Sequence, residues 1–127
     1  MRLHEYTDNA VDVFQLEGEI DMHFAPVLRQ LLRGKRAAKC PALLLDMTAV
    51  EFIDSTGLAV ILEYVRDTER THSRFCIGGV SAALGTIFEI VRLDRAIPIF
   101  ENIDRAKEAF ATGRLPSVSE PLFRSAA

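Results

Sequence analysis

The strongest constraint on the fold of this chain is an unbroken apolar run, Ala42-Leu43-Leu44-Leu45, followed about a dozen residues later by a helical pattern. A strand covered on one face alternates apolar and polar side chains, whereas a continuous run needs cover on both faces. These residues therefore predict a central strand over Ala42–Met47 with helices packed on each side. Leu58, Ile61, Leu62 and Val65 form the stripe of the helix that follows, which runs to about Arg70. Asp54-Ser55-Thr56-Gly57 stands at its start.

The rest of the chain fits around that unit. Strands are predicted at residues 3–7 and 11–16, paired antiparallel through the turn-forming Thr7-Asp8-Asn9. A helix over Ala25–Ala37 has Pro26 in its first turn and Leu28, Leu31 and Leu32 as its stripe. Arg74–Ile77 reads as a fourth strand. Ser81 caps a helix whose buried face is Leu84, Ile87, Phe88 and Val91. Pro98 reduces Ile97–Phe100 to a short edge strand, and a last helix from about Asp104 to Ala111 turns Ala106 and Phe110 inward. The expected class is α/β: one domain over residues 1–111, with a mixed, mostly parallel sheet of about five strands covered by four or so helices. Residues 112–127, with Gly113, Pro116 and Pro121, read as a flexible C-terminal tail.

Composition narrows the function. The 127 residues are 49% apolar and 26% charged, with a net charge of −3 and no dominating basic stretch, which disfavours nucleic acid as a partner. Arg33, Lys35, Arg36 and Lys39 are read as the solvated end of a helix, complementing its negative C-terminus. No run is long and apolar enough to insert in a membrane, and the N-terminus lacks a signal-peptide apolar core, so a cytoplasmic location is expected. Cys40 and Cys76 are expected to be free thiols. His4, His23 and His72 have no metal-ligand spacing, and no cofactor is called for.

Three groups of residues remain for chemistry. Ser55 lies where backbone N–H groups are unpaired and the field favours negative charge, so it is either the helix cap, a role Asp54 suits equally, or a hydroxyl that accepts phosphate. Gly57 in a helical first turn is unfavourable unless another backbone approaches closely or the helix packs on the sheet there. A nucleophile elbow would need glycine where Ile53 stands, and no histidine is placed as a base, so no catalytic residue is assigned. Gly78-Gly79 lacks the Gly-Lys-Ser/Thr ending of a nucleotide loop and reads as a strand-end turn. Glu19, Asp21, Asp46, Glu51 and Asp54 form either a solvated acidic edge or a partner surface, with Asp21 and Asp54 able to share a rim.

The block Leu43-Leu44-Leu45-Asp46-Met47-Thr48-Ala49-Val50-Glu51-Phe52-Ile53-Asp54-Ser55-Thr56-Gly57-Leu58 resembles the central signature of STAS domains, in particular of bacterial anti-sigma factor antagonists. Leu16-Glu17-Gly18-Glu19-Ile20-Asp21 is similar to the family's Gly-Glu-Leu-Asp turn, and the likeness extends over about residues 3–111. The resemblance implies that Ser55 is phosphorylated by a cognate anti-sigma factor that is itself a serine kinase. The unmodified form would then bind that kinase and free a sigma factor, and a serine phosphatase would restore it. Asp21, Asp54, Ser55, Thr56 and Gly57 would form the partner-binding edge. STAS domains also serve as accessory subunits of ABC-type lipid-transport ATPases and as stressosome scaffolds, which are the alternatives. The oligomeric state is left open.

Overall fold

Alternate residues of one strand, Leu43 and Leu45 against Ala42 and Leu44, enter two separate hydrophobic cores, and the rest of the architecture is arranged about that division. The structure, a computed structural model, describes residues 2–113. Strands β1 (Arg2–Asp8), β2 (Val11–Ile20), β3 (Ala42–Ile53) and β4 (Arg74–Gly78) form one sheet in the order β1-β2-β3-β4. β1 pairs antiparallel with β2, while β2–β3 and β3–β4 are parallel. Helices α1 (Ala25–Ala37), α2 (Ser55–Thr71) and α3 (Ala82–Ile90) bury Leu28, Leu32, Ile61, Tyr64 and Phe88 in the core that takes Phe14, Leu43 and Leu45. Helix α4 (Ile103–Thr112) covers the other face, packing Ala106 and Phe110 with Val13, Leu44 and Cys76. The two-faced cover expected of the apolar run is present.

The sheet has four strands rather than five. Ile97–Phe100 makes one isolated parallel bridge, Ile77 to Ile99, with Phe100 N donating to the Ile77 carbonyl at 2.8 Å. Pro98 has no N–H to extend the ladder, and the chain turns into α4 at once. Val91, expected on the buried face of α3, lies just beyond its last residue and is 38% exposed. Of the predicted tail, Thr112 ends α4 and Gly113 caps it with φ 69°; the remainder lies outside the described residues.

β3 runs six residues beyond the predicted Met47, and β2 four beyond residue 16. Where the expected strand stops at Met47, the chain forms a bulge and continues: Gln15 pairs with Asp46 and Glu17 with Ala49, leaving an extra β3 residue between the pairs. The Asp46 carboxylate accepts the Thr48 amide at 3.0 Å and the Thr48 hydroxyl at 2.6 Å, so the bulge is internally satisfied. A second shift between Gly18 and Glu19 carries the pair on to Ile20–Ile53.

Two contacts fasten the periphery. Lys35 of α1 reaches Glu5 of β1 and Asp12 of β2, the latter at 2.8 Å, and its ammonium holds the Asp12 carboxyl below the ordinary carboxylate range. Both cysteines are buried free thiols, and burial pushes the Cys76 thiol well up.

The β1–β2 turn places Asn9 (φ 50°) and Ala10 (φ 65°) in the left-handed region, the pattern of a two-residue hairpin that prefers Asn-Gly. Ala10→Gly should therefore raise stability by up to about 1 kcal/mol, read as a higher urea midpoint at unchanged slope. Burial also pushes the Tyr64 phenol up to about 12 from an ordinary 10. The folded state favours the neutral phenol, so this contribution is complete below pH 10 and is lost as pH rises through 12. Urea unfolding across that window should show an alkaline loss in the wild type that Tyr64→Phe does not share.

Candidate functional site

The two longest strands end side by side. Ile20 pairs with Ile53, and immediately beyond that pair the Asp54 amide donates to the Ile20 carbonyl at 3.1 Å. The loops that leave β2 and β3 therefore start from one place, each with an aspartate. Asp21 Oδ1 accepts the amides of His23 (3.0 Å) and Phe24 (3.1 Å), turning the chain into α1. Asp54 Oδ1 accepts the amides of Thr56 (2.9 Å) and Gly57 (3.0 Å), together with the Thr56 hydroxyl. These bonds, the Thr56 hydroxyl first and the Gly57 amide next, hold the Asp54 carboxyl below the usual carboxylate range, and the Met22 amide adds to them. Asp21 and Asp54 do share a rim.

The helix cap is Asp54, with extended backbone (φ −102°, ψ −176°). Of the two residues able to cap this helix, Asp54 does so and Ser55 does not. Ser55 is the first residue of α2, exposed, and its hydroxyl makes no hydrogen bond among the described residues. It sits in the first turn, where the aligned peptide dipoles favour an added anion by about 0.3–1 kcal/mol. Thr56 is exposed too, but its hydroxyl is committed to Asp54.

Gly57 faces inward. A Cβ there would stand 2.7 Å from the Ile20 carbonyl oxygen and 2.9 Å from Ile53 Cγ1. Both explanations offered for this glycine hold together: the backbone that approaches is β2 itself, and the approach is how α2 packs on the sheet. Gly79 has a comparable packing duty, with φ 74° and the Thr48 side chain against it, which accounts for the double glycine without a nucleotide.

The remaining acidic residues divide. Glu19 and Glu51 are exposed and, with Asp21 and His23, line a shallow groove of about 410 Å³. Asp46 does not belong with them: it is 4% exposed, inside β3, and occupied with the bulge. Two rim residues were not foreseen. Met22 is 59% exposed and Phe52 47%, one following Asp21 and the other two residues before Asp54. Met22 and Phe52 are thus large apolar side chains left in water on the same two chain segments that carry Asp21 and Asp54. No histidine hydrogen-bonds to Ser55 among the described residues, which also contain no cluster of three or more His, Cys, Asp or Glu placed to hold a metal. None of the described helices is long and apolar enough to cross a membrane.

Residues 5–106 match the family profile described as the STAS domain. The chain belongs to the STAS domain family. Among curated STAS relatives, it is 30% identical over 99 residues to an anti-sigma-B factor antagonist of Listeria monocytogenes, spanning 78% of this chain and 86% of that one. A crystal structure of an anti-sigma factor antagonist from Mycobacterium paratuberculosis superposes with a TM-score of 0.77 at 29% identity, over 85% of this chain and 92% of the other. The Bacillus cell fate determinant SpoIIAA in its phosphorylated form aligns with a TM-score of 0.68 over 85% of this chain and 99% of its own. At 16% identity that likeness establishes the shared fold alone.

Gly57→Ala should displace the start of α2 from β2, because the nearest obstacle includes backbone as well as side chain. A loss of about 1–3 kcal/mol, measured by urea unfolding, is expected. Ser55→Ala, by contrast, should leave the unfolding midpoint where it is.

Proposed function

We propose that this STAS domain is an anti-sigma factor antagonist controlled by phosphorylation of Ser55. Unmodified, it binds an anti-sigma factor that is also a serine kinase and so releases a sigma factor; the kinase phosphorylates Ser55, and a serine phosphatase reverses the modification. The chain contributes no catalytic group of its own, and ATP and its metal belong to the kinase. The whole cycle takes place in the cytoplasm, with the binding domain running through α4 to its Gly113 cap. The observation that carries the reading is the exposed Ser55 hydroxyl, spared from capping by Asp54.

The physics of such a switch favours a change in docking over a change in fold. Phosphate adds about −1.5 to −2 charge and three acceptor oxygens. At the α2 N-terminus that charge is tolerated by the helix dipole, while the ionised Asp54 turns it outward, toward a partner. A partner that packs on Met22, Phe52 and the start of α2 would have to desolvate the dianion or accept its bulk at the contact. A penalty of about 1.4 kcal/mol already lowers affinity tenfold, and one desolvated charge costs more than that.

Ser55→Ala is expected to resist labelling by the cognate kinase while still capturing it, and Ser55→Asp to bind weakly. Labelling of Ser55→Ala to the wild-type level would overturn the assignment. Phe52→Ser should weaken capture by about tenfold or more with an unchanged unfolding midpoint, since the side chain is half in water and holds little of the core.

A further inference from the structure

The two edges of the sheet are finished differently. Beyond β4, the Phe100 amide donates to the Ile77 carbonyl at 2.8 Å and the Ile77 amide to the Pro98 carbonyl at 3.2 Å, so that edge is occupied. β1 is the other edge. It pairs with β2 at all seven residues in unbroken register and contains no proline. A strand with one antiparallel neighbour turns the amides and carbonyls of alternate residues outward. Among the described residues, no backbone hydrogen bond outside the β1–β2 ladder involves residues 2–8. Bulges and prolines are common guards of such an edge, and β1 has neither. Its protection rests on charged side chains, and their order decides what they turn away.

Even-numbered residues of β1 lie on the sheet face covered by α4, where Tyr6 packs on the smaller core and Lys107 stands 5.0 Å from its ring centre and 3.5 Å from Asp8. Odd-numbered residues lie on the α1 face, where Leu3 packs on the larger core and Glu5 holds Lys35. A second copy brought to this edge by a two-fold rotation forms an antiparallel pair, and residues facing across it share one side of the sheet. The axis must then pass through a residue. Through Glu5 it pairs all seven; through His4 it leaves Thr7 and Asp8 without a β1 partner, and through Tyr6 it leaves Arg2 and Leu3. Centred on Glu5, the exposed Arg2 faces Asp8 of the other copy at both ends of the ladder, and His4 faces Tyr6. Arg2 has no ion pair among the described residues, and the Asp8 side chain is 37% exposed. The two Glu5 carboxylates meet at the axis, each already neutralised by its own Lys35. α4 stands over the Tyr6–Asp8 half of the strand, so the rotation sets it beside the open half of the other copy, across the axis from the other α4.

We propose that β1 is the contact between two copies of this chain, which join through antiparallel β1–β1 pairing centred on Glu5 into one eight-stranded sheet. The charges that turn other strands away are self-complementary in this register, which suits a copy of the same strand. Because the rotation reverses strand direction, the two Ser55 rims lie at opposite ends of the joined sheet and both stay open. The contact does not depend on the function proposed for that rim.

The test is sedimentation equilibrium of the full chain, with cross-linking to fix the register. The mass is expected to rise with concentration from one chain to two by the millimolar range. Glu5→Cys should form a disulfide dimer under mild oxidation, because the axis sets its two Cα atoms about 4.5–5.5 Å apart, within the roughly 4.4–6.8 Å that a disulfide spans. Thr7→Cys is also exposed but lies two residues from the axis, facing Leu3, and should stay unlinked. Arg2→Asp sets like charges against Asp8 at both ends and should weaken association by about tenfold or more. A single-chain mass throughout, a dimer whose Glu5→Cys form does not link, equal linking of Thr7→Cys, or undiminished association of Arg2→Asp would each overturn the proposal.

Discussion

A single carboxylate organises the most informative corner of this molecule. Asp54 donates its amide to Ile20 and accepts the amides of Thr56 and Gly57, so it both splices the exit of β3 to the end of β2 and starts α2. Helix starts leave amides without partners, and a short acidic side chain in extended backbone satisfies two of them at once. Because Asp54 does this, the next residue has no structural duty for its hydroxyl. Gly57 completes the arrangement by letting the helix begin against the Ile20 backbone rather than a side chain's width away. The free hydroxyl of Ser55 is a consequence of what its neighbours do.

The position of that corner depends on the length of β3. β4 pairs only with Ala42–Asp46, and the remaining residues of β3 run on beside β2 alone. Bulges carry the two strands through this stretch without losing their partnership, and Asp46 supplies the hydrogen bonds that one of them needs. The rim formed by Asp21, Met22, Phe52 and Ser55 therefore projects past the paired end of β4. The sheet carries these exposed residues outward, while the covered part of the sheet below holds the two cores. Modification at the tip can alter what docks there with little reach into the packing.

Much of this was legible in the residues. The run from Ala42 to Leu45 called for two-sided cover, and the helix periods of α1 and α4 located their buried faces, because each depends on burial patterns that repeat locally; the stripe expected of α2 found Ile61 and Val65 but took the partly buried Leu58 and Leu62 in place of Val60 and Tyr64. The Asp-Ser-Thr-Gly junction marked the start of α2 for the same local reason. What was missed depends on partners distant in sequence. Asp46 reads as one more residue of an acidic edge, and only the pairing of Gln15 with Asp46 and Glu17 with Ala49 reveals the bulge that occupies it. Pro98 allowed an edge strand, but the ladder that would have confirmed it shrinks to one bridge. Met22 and Phe52 carry no exposed signature in sequence, since an apolar residue beside a turn is as compatible with the core as with the surface. Between Asp54 and Ser55 as cap, composition was even-handed; backbone geometry decided.

The central claim is that the cap and the hydroxyl are separable, and amide hydrogen exchange at Thr56 and Gly57 tests it most directly. Protein carrying phosphoserine at position 55, placed during synthesis rather than by a kinase, is compared with the unmodified chain and with Ser55→Ala. The account predicts equal protection of both amides in all three, since Asp54 holds them throughout. Faster exchange in Ser55→Ala, or collapse of protection when the phosphate is present, would mean that Ser55 is part of the cap and would contradict it.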